Sequence, residues 1–253
     1  MMSGDERLAI VTPTHRNQFG FEEKIILQKS LGYNSDIRHF FAVPENLDEK
    51  WLVSNFRTST VLKFDFNFFE SPQSYNKLML SPFFYEKFED FNYILILQTD
   101  AVLLRRIAPQ DYVDFDYVGA PWRKSLRVSI HDGDLHANNK RLFWKPFVRV
   151  SVGNGGLSFR NVSSFRELLS DVQVSDFNSR VFDGSHNEDF VISYLIKKRN
   201  YRVPSKKRAR GVFMEEDLAF CSKVPKILGV HAPNKYNPKL SDEILKQAVN
   251  NSG

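Results

Sequence analysis

The stretch Tyr93-Ile94-Leu95-Ile96-Leu97-Gln98-Thr99-Asp100-Ala101-Val102-Leu103 decides the fold. Tyr93 to Leu97 is an apolar run of strand length, as expected of a strand buried on both faces of a mixed α/β sheet. Polarity arrives abruptly at Gln98-Thr99-Asp100, so a carboxylate stands at the strand's carboxyl end. Ligands of open α/β sheets sit outside the carboxyl ends of the strands. An Asp in that place also suits a plain turn cap, and the rest of the chain must decide between the two readings.

Upstream, Leu8 to Val11 reads as a short buried strand followed by the loop Thr12-Pro13-Thr14-His15-Arg16. A helix over Phe21 to Gly32 carries Ile25, Ile26, Leu27 and Leu31 at helical spacing, with Gly32 as its C-cap. Ile37 to Val43 reads as a second strand stopped by Pro44, Leu47 to Asn55 as a polar helix, and Thr60 to Phe64 as a third strand. Strand, helix, strand, helix, strand at this spacing predicts βαβ units and a parallel sheet. Ser74 to Asp90 is again helical, with Pro82 as a kink.

Downstream, Phe115 to Trp122 is a short strand entering a Gly/Pro turn, and the polar, basic residues 123 to 141 read as a mobile loop. Its Asp132, Asp134, His131 and His136 lack the orderly spacing of a metal site. Phe147 to Val152 is a strand leading into Gly153-Asn154-Gly155-Gly156-Leu157-Ser158-Phe159-Arg160. Glycines that dense beside a strand mark a close approach to the backbone, although their spacing is not the dinucleotide fingerprint. Val162 to Val172 reads as a helix. The pair Glu188-Asp189 opens a strongly amphipathic one, where acidic residues also complement the helix dipole. The basic runs between 197 and 210 read as solvated faces. Leu228 to Tyr236 places His231 after a short apolar run, and a polar helix over Ser241 to Val249 closes the chain.

The 253 residues suffice for one sizeable core or two small ones. With 42% hydrophobic residues, the chain is in the globular range. Lys and Arg exceed Asp and Glu by 35 − 30 = 5, an excess that suits an anionic ligand such as a nucleotide, or an anionic membrane surface. That excess is too small to argue for nucleic acid. The single cysteine, Cys221, excludes an intrachain disulfide and a cysteine-rich zinc site, and fits a reducing compartment. Met1 to Arg7 lacks the apolar stretch of a signal peptide, and no run reaches the roughly 18 apolar residues of a membrane span. The expectation is a cytoplasmic protein with peripheral contact to an anionic membrane.

Five pieces in this order and spacing resemble the GT-A class of nucleotide-sugar-dependent glycosyltransferases. They are Leu95 to Asp100, Tyr117 to Trp122, Gly153 to Arg160, Glu188-Asp189-Phe190 and Val230 to Tyr236. The nearest likeness is to a little-described, bacterial-type, single-domain group, and it runs from about Leu8 to Tyr236. The resemblance implies one Rossmann-like α/β domain over 1–253, with its core at about 8–240 and a mixed, mostly parallel central sheet flanked by helices. It also implies sugar transfer from a nucleoside-diphosphate sugar to a glycan or lipid-linked glycan, with Mn²⁺ or Mg²⁺ as cofactor. In the family an Asp-x-Asp motif holds the metal. Here Gln98 replaces the first Asp, Thr99 lies between, and Asp100 keeps the last position, with His231 where relatives similar in this respect take a further ligand. Asp189 matches the catalytic base of inverting members, kept ionised by helix N-terminal dipoles, and Glu188 the residue orienting the acceptor. Thr12, Thr14 and Arg16 fall where the family binds the nucleotide, and Lys77 within reach of the diphosphate. Gly155 and Gly156, with Asn154, would border the donor sugar, and Trp122 would offer it an apolar platform.

Two rivals differ in class. A nucleotidyl-type enzyme making the activated sugar would want a phosphate-cradling Gly/Lys-rich loop after the first strand, which Thr12 to Arg16 is not. A degenerate, non-catalytic protein binding nucleotide sugar, nucleic acid or anionic lipid is favoured by the missing first Asp.

Overall fold

The computed structural model describes residues 7–142, 144–172, 177, 181–215, 227–236, 242, 243 and 246. Cys221 and most of the helix expected over Ser241 to Val249 lie outside the described residues. The central sheet has six strands in the order β3-β2-β1-β4-β10-β6. These are β1 (Leu8–Pro13), β2 (Arg38–Pro44), β3 (Ser59–Phe64), β4 (Tyr93–Leu97), β6 (Tyr117–Gly119) and β10 (Leu157–Asn161). The first four strands run parallel, and β10 is antiparallel to both β4 and β6.

All five residues of β4 are buried, because helices and loops cover both faces of the sheet. Strand alternation divides their side chains between two cores. Ile94 and Ile96 pack with Val11, Phe40, Phe84 and Phe88 on one side. Leu95 and Leu97 pack with Ile10, Phe41 and Phe159 on the other. The abundant phenylalanines account for much of this packing, in mostly edge-on or tilted contacts such as Phe40–Phe88 at 5.6 Å.

Several elements fall where the sequence places them: β4, the helix α1 (Phe21–Gly32) and the helix α5 (Val162–Val172). Three expectations need correction. Gly32 is not the C-cap. The helix runs through it, and Tyr33, in right-handed helical conformation, occupies the cap. Pro82 does not kink one long helix but opens a second. Helix α3 (Pro72–Met79) ends before Ser81, and α4 (Pro82–Glu86) starts on the proline, where the missing N–H costs nothing.

The third correction is larger. The segment 123–141, expected as a loop, is strand. β7 (Pro121–His131) pairs with β8 (Asp134–Ala137) and with β9 (Val148–Val152) in an antiparallel three-stranded sheet. Asp132 and Gly133 form its two-residue turn with φ of 52° and 75°, the Asp-Gly pair that a tight hairpin of this hand requires. Leu126, Val128 and Ile130 alternate along β7, a period of two that the surrounding basic residues obscure.

A second three-stranded sheet, β11-β12-β5, sets the site. β5 (Ala101–Leu103) continues directly from the end of β4. It pairs antiparallel with β12 (Gly229–His231), so His231 lies opposite Ala101, and β11 (Phe213–Met214) flanks β12. The short helix α8 (Pro233–Tyr236) follows. Helix α6 (Glu188–Lys198) and the five-residue α7 (Lys206–Arg210) complete the described elements used below. Among the described residues, no helix is long and apolar enough to cross a membrane.

Candidate active site

The register of β5 against β12 brings two distant pieces of chain together. His231 Nε2 stands 3.3 Å from Asp100 Oδ1 and 3.3 Å from Gln98 Oε1. Ala232 N donates to Asp100 O at 3.0 Å, which locks the strand-end turn to the segment after β12. On the far side of the ring, Nδ1 lies 3.0 Å from both Glu215 Oε1 and Asn154 Nδ2. With Nδ1–H donated to Glu215, Nε2 faces Asp100 and Gln98, and a carboxylate behind the ring in this way is what fixes metal-binding imidazoles. Burial alone would lower the His231 pKa, but hydrogen bonds to Asp100 and Glu215 outweigh it and raise the ring to about 9. Burial likewise would raise the Asp100 carboxyl, yet the bond from His231 holds it below the usual carboxylate range. Two carboxylates flanking one ring favour a positive charge there.

Asp100, His231 and the Gln98 amide oxygen suit a divalent cation. Adjacent ligands around an ion bound at about 2.1 Å sit roughly 3 Å apart, close to the distances found. Gly156 shapes this cradle: a Cβ there would collide with the His231 ring and the Gln98 amide. No group of three or more His, Cys, Asp or Glu among the described residues is arranged to hold a metal. A Mg²⁺-type site completed by substrate phosphates and water needs only one or two carboxylates.

Two cavities meet at Gln98, Tyr75 and Pro72. The larger, about 670 Å³, lies outside the ends of β1 and β4 and is lined by Thr14, Arg16, Thr99 and Asp100 among others. Arg16 spans its floor, donating to Thr99 Oγ1 at 2.8 Å and to the Glu23 carboxylate. The smaller, about 210 Å³, is lined by Asn154, Gly155, Gly156, Glu188, Asp189 and His231 with several neighbours. Eleven of the fourteen residues nominated from sequence thus border one or other cavity, with Gln98 on both.

Three nominated residues do not border either cavity. Thr12 is fully buried and its hydroxyl bonds to His39 Nε2 at 3.0 Å, so it packs the core beneath the cleft. Lys77 is on the exposed side of α3. The residue beside it, Asn76, faces inward instead: its amide donates to Gly184 O and His186 O, and its Oδ1 accepts from Glu188 N. Asn76 therefore pins the start of α6, a role no spacing signal announced. Trp122 borders a separate surface hollow with Arg123, Lys124 and Leu126, and its ring covers Gly153.

The nominated pair Glu188 and Asp189 shares the smaller cavity with His231. Glu188 is buried and its Oε1 accepts from Arg160 Nη2 at 3.0 Å, while its Oε2 has no partner. Arg160 is itself wholly buried and held by Tyr85 Oη at 2.7 Å, Ser158 Oγ at 3.0 Å and Gly155 O at 3.2 Å. A buried carboxylate survives only when paired in this way. A Cβ on Gly155 would strike the Glu188 carboxylate, so the glycine is needed for that approach. Asp189 Oδ1 accepts from Phe190 N at 2.7 Å, yet burial and the neighbouring Glu188 charge push its carboxyl up to about 7. The expectation that the helix terminus keeps it ionised underweights both effects. Glu215 and Asn76 carried no motif in the sequence, and only the fold shows that they touch these residues.

The family described as a protein of unknown function, DUF5672, matches residues 58–231. The chain belongs to that family. The match takes in Asp100, the glycine turn, Glu188-Asp189 and His231. No curated protein matches the sequence. Among solved structures, the Mn/GDP form of core-mannan synthase A (CmsA/Ktr4) from Aspergillus fumigatus is similar over 78% of this chain and 71% of that one, with a TM-score of 0.52 and 8% identity. At that identity the likeness is one of fold: a mostly parallel mixed sheet flanked by helices, of the GT-A kind.

Proposed function

We propose that the chain is a metal-dependent glycosyltransferase moving a sugar from a nucleoside-diphosphate donor to a hydroxyl of a glycan or lipid-linked glycan, in a single domain. The observation that carries this reading is the convergence of Asp100, His231 and Gln98 where two cavities join, with the Glu188 and Asp189 carboxylates lining the smaller one. The Mn/GDP form of the similar fold supports it.

The larger cavity takes the nucleotide, with Thr14 and Arg16 at its floor. Asp100 and His231, with Gln98, hold Mn²⁺ or Mg²⁺, and the imidazole tilts the choice toward Mn²⁺. When bound, the ion neutralises charge gathering on the leaving diphosphate. Gly155 and Gly156 leave room for the donor sugar in the smaller cavity. The unpartnered Glu188 Oε2 accepts a hydrogen bond from an acceptor hydroxyl. Asp189, with a pKa near neutrality, removes that hydroxyl's proton as it attacks the anomeric carbon from the face opposite the leaving group. The product has inverted configuration.

The test is thermal-shift titration with a panel of nucleoside diphosphates, with and without Mn²⁺, on the parent and on Asp100→Ala. A stabilising shift that needs the metal, and is lost in Asp100→Ala with the ligand-free Tm unchanged, is expected. A smaller loss is expected for His231→Ala. Equal shifts in parent and both variants would remove the metal assignment.

A further inference from the structure

Positive charge is concentrated in one part of this chain. Residues 121–152 hold seven Lys or Arg and two Asp, 7 − 2 = +5, which equals the net charge of the whole sequence, 35 − 30 = +5. Those residues build the β8-β7-β9 sheet. Its register sets Arg127 directly opposite Arg149, a like-charge cross-strand pair that is unfavourable on its own. Helix α7 packs against β7 and β9 and adds its own cations, with Lys206 Nζ donating to Arg123 O at 2.8 Å. Between β9, α6 and α7 lies a cavity of about 130 Å³, room for one phosphate group. Its charged lining is Arg149, Lys197 and Lys206, beside Ser151, Ser193 and Ser205, with no carboxylate.

Two exposed aromatic rings lie on the segment that leads into β9. Phe147, 45% exposed, lies against the Arg127 guanidinium at 3.8 Å. Trp144, 64% exposed, has Lys145 over its ring at 4.6 Å. The indole N–H is already donated to Arg141 O at 3.2 Å, so the exposed rim of the ring is apolar and leaves no donor unpaired when it is covered. Basic side chains set around exposed aromatic rings are the composition of surfaces that lie at a bilayer interface.

We propose that the outer face of the β8-β7-β9 sheet, with α7, docks on an anionic phospholipid bilayer. The cavity takes a headgroup phosphate, and Trp144 and Phe147 enter the headgroup boundary. Single-stranded nucleic acid suits the face less well, because each ring already carries a cation of this chain over one side that a base would need for stacking. β9 runs into Gly153 and Asn154, and Ser193 lies one helical turn beyond Asp189, so docking here would hold the carboxylate cleft close to the lipid surface.

Vesicle co-sedimentation of the full chain tests this, with phosphatidylcholine alone and mixed with phosphatidylglycerol. Binding to the mixed vesicles only is expected, weakening strongly at about 0.5 M salt. Arg149→Gln and Lys197→Gln should each reduce it by about fivefold. Trp144→Ala combined with Phe147→Ala should remove the part of the binding that persists in salt. Unchanged Tm certifies that these surface variants fold. Equal binding to neutral vesicles, no binding to either, or variants matching the parent would each overturn the proposal. So would displacement from the vesicles by a single-stranded oligonucleotide or by free inorganic phosphate at low millimolar concentration, which would assign the face to those anions instead.

Discussion

Replacing Asp189 by Asn is expected to make the protein more stable and the enzyme nearly inactive. Burial and the Glu188 charge raise the Asp189 carboxyl from 3.8 to about 7, with Glu215 adding to the effect and Arg160 opposing it. A rise of about three units corresponds to roughly 4 kcal/mol of penalty on the ionised form. Asp189 keeps partial contact with solvent and with the helix N-terminus, so about half of that, ~2 kcal/mol, is the reasonable gain from removing the charge. The sign follows from linkage: a raised folded pKa gives stability that is full below the unfolded value and lost as pH climbs through about 7. Asn keeps the shape and the bond from Phe190 N without the charge. At about pH 8 the variant should therefore melt about 4–8 °C above the parent, and at about pH 4, close to the unfolded value, most of that gap should be gone. Turnover should fall by roughly 10²–10⁴-fold while donor binding survives. The assay is melting temperature at both pH values and kcat on one preparation. A variant less stable than the parent by the same amount at both pH values would mean that Asp189 is a helix-start residue. A rate within threefold of the parent would remove it as the base and, with it, the case for inversion.

Two further outcomes follow from the packing. Gly156→Ala places a methyl group against the His231 ring and Gln98 amide, so metal-dependent nucleotide binding should fall while stability drops by no more than an overpacked methyl demands, about 1–3 kcal/mol. Nucleotide-dependent thermal shifts unchanged in this variant would contradict the placement of the metal. Arg160→Met should cost about 3–5 kcal/mol, because it strands the Glu188 carboxylate in the core, and chemical denaturation reads it directly. Arg160→Met with Glu188→Gln should recover much of that loss, and a double variant no better than the single would show that the pair is not coupled.

The parts legible in the sequence are those where one local signal suffices. β4 declares itself because a strand covered on both faces needs an unbroken apolar run, and α1 and α5 because one apolar stripe repeats at helical spacing. The hairpin of β7 and β8 was obscured because one of its faces is cationic and solvated, so composition outweighed the alternation of Leu126, Val128 and Ile130. Asp-Gly at 132–133 was the available signal, and it fixes the turn with two positive φ angles. The same limit explains Lys77. Adjacent helical residues point about 100° apart, so choosing a cation by charge selected the solvent side of α3, while the neutral Asn76 one position earlier faces the site.

Contacts made by long-range register were beyond any local signal. Asp100 and His231 are 131 positions apart, and what joins them is a three-residue strand, β12, laid antiparallel on the three residues that follow Asp100. Nothing in Gly229-Val230-His231 alone sets that pairing. It depends on β4 being too apolar to end anywhere but at Gln98, on β5 continuing at once, and on Gly229 admitting the backbone of Val102, which a Cβ would meet at 2.7 Å. Glu215 then reaches Nδ1 because β11 runs parallel to β12 and ends beside it. The proposed ligand set is therefore a property of the small sheet more than of a motif. Losing the first Asp of the expected pair matters less on such a scaffold, since β12 brings His231 to Asp100 and the neighbouring β11 ends at Glu215, the residue that orients the ring.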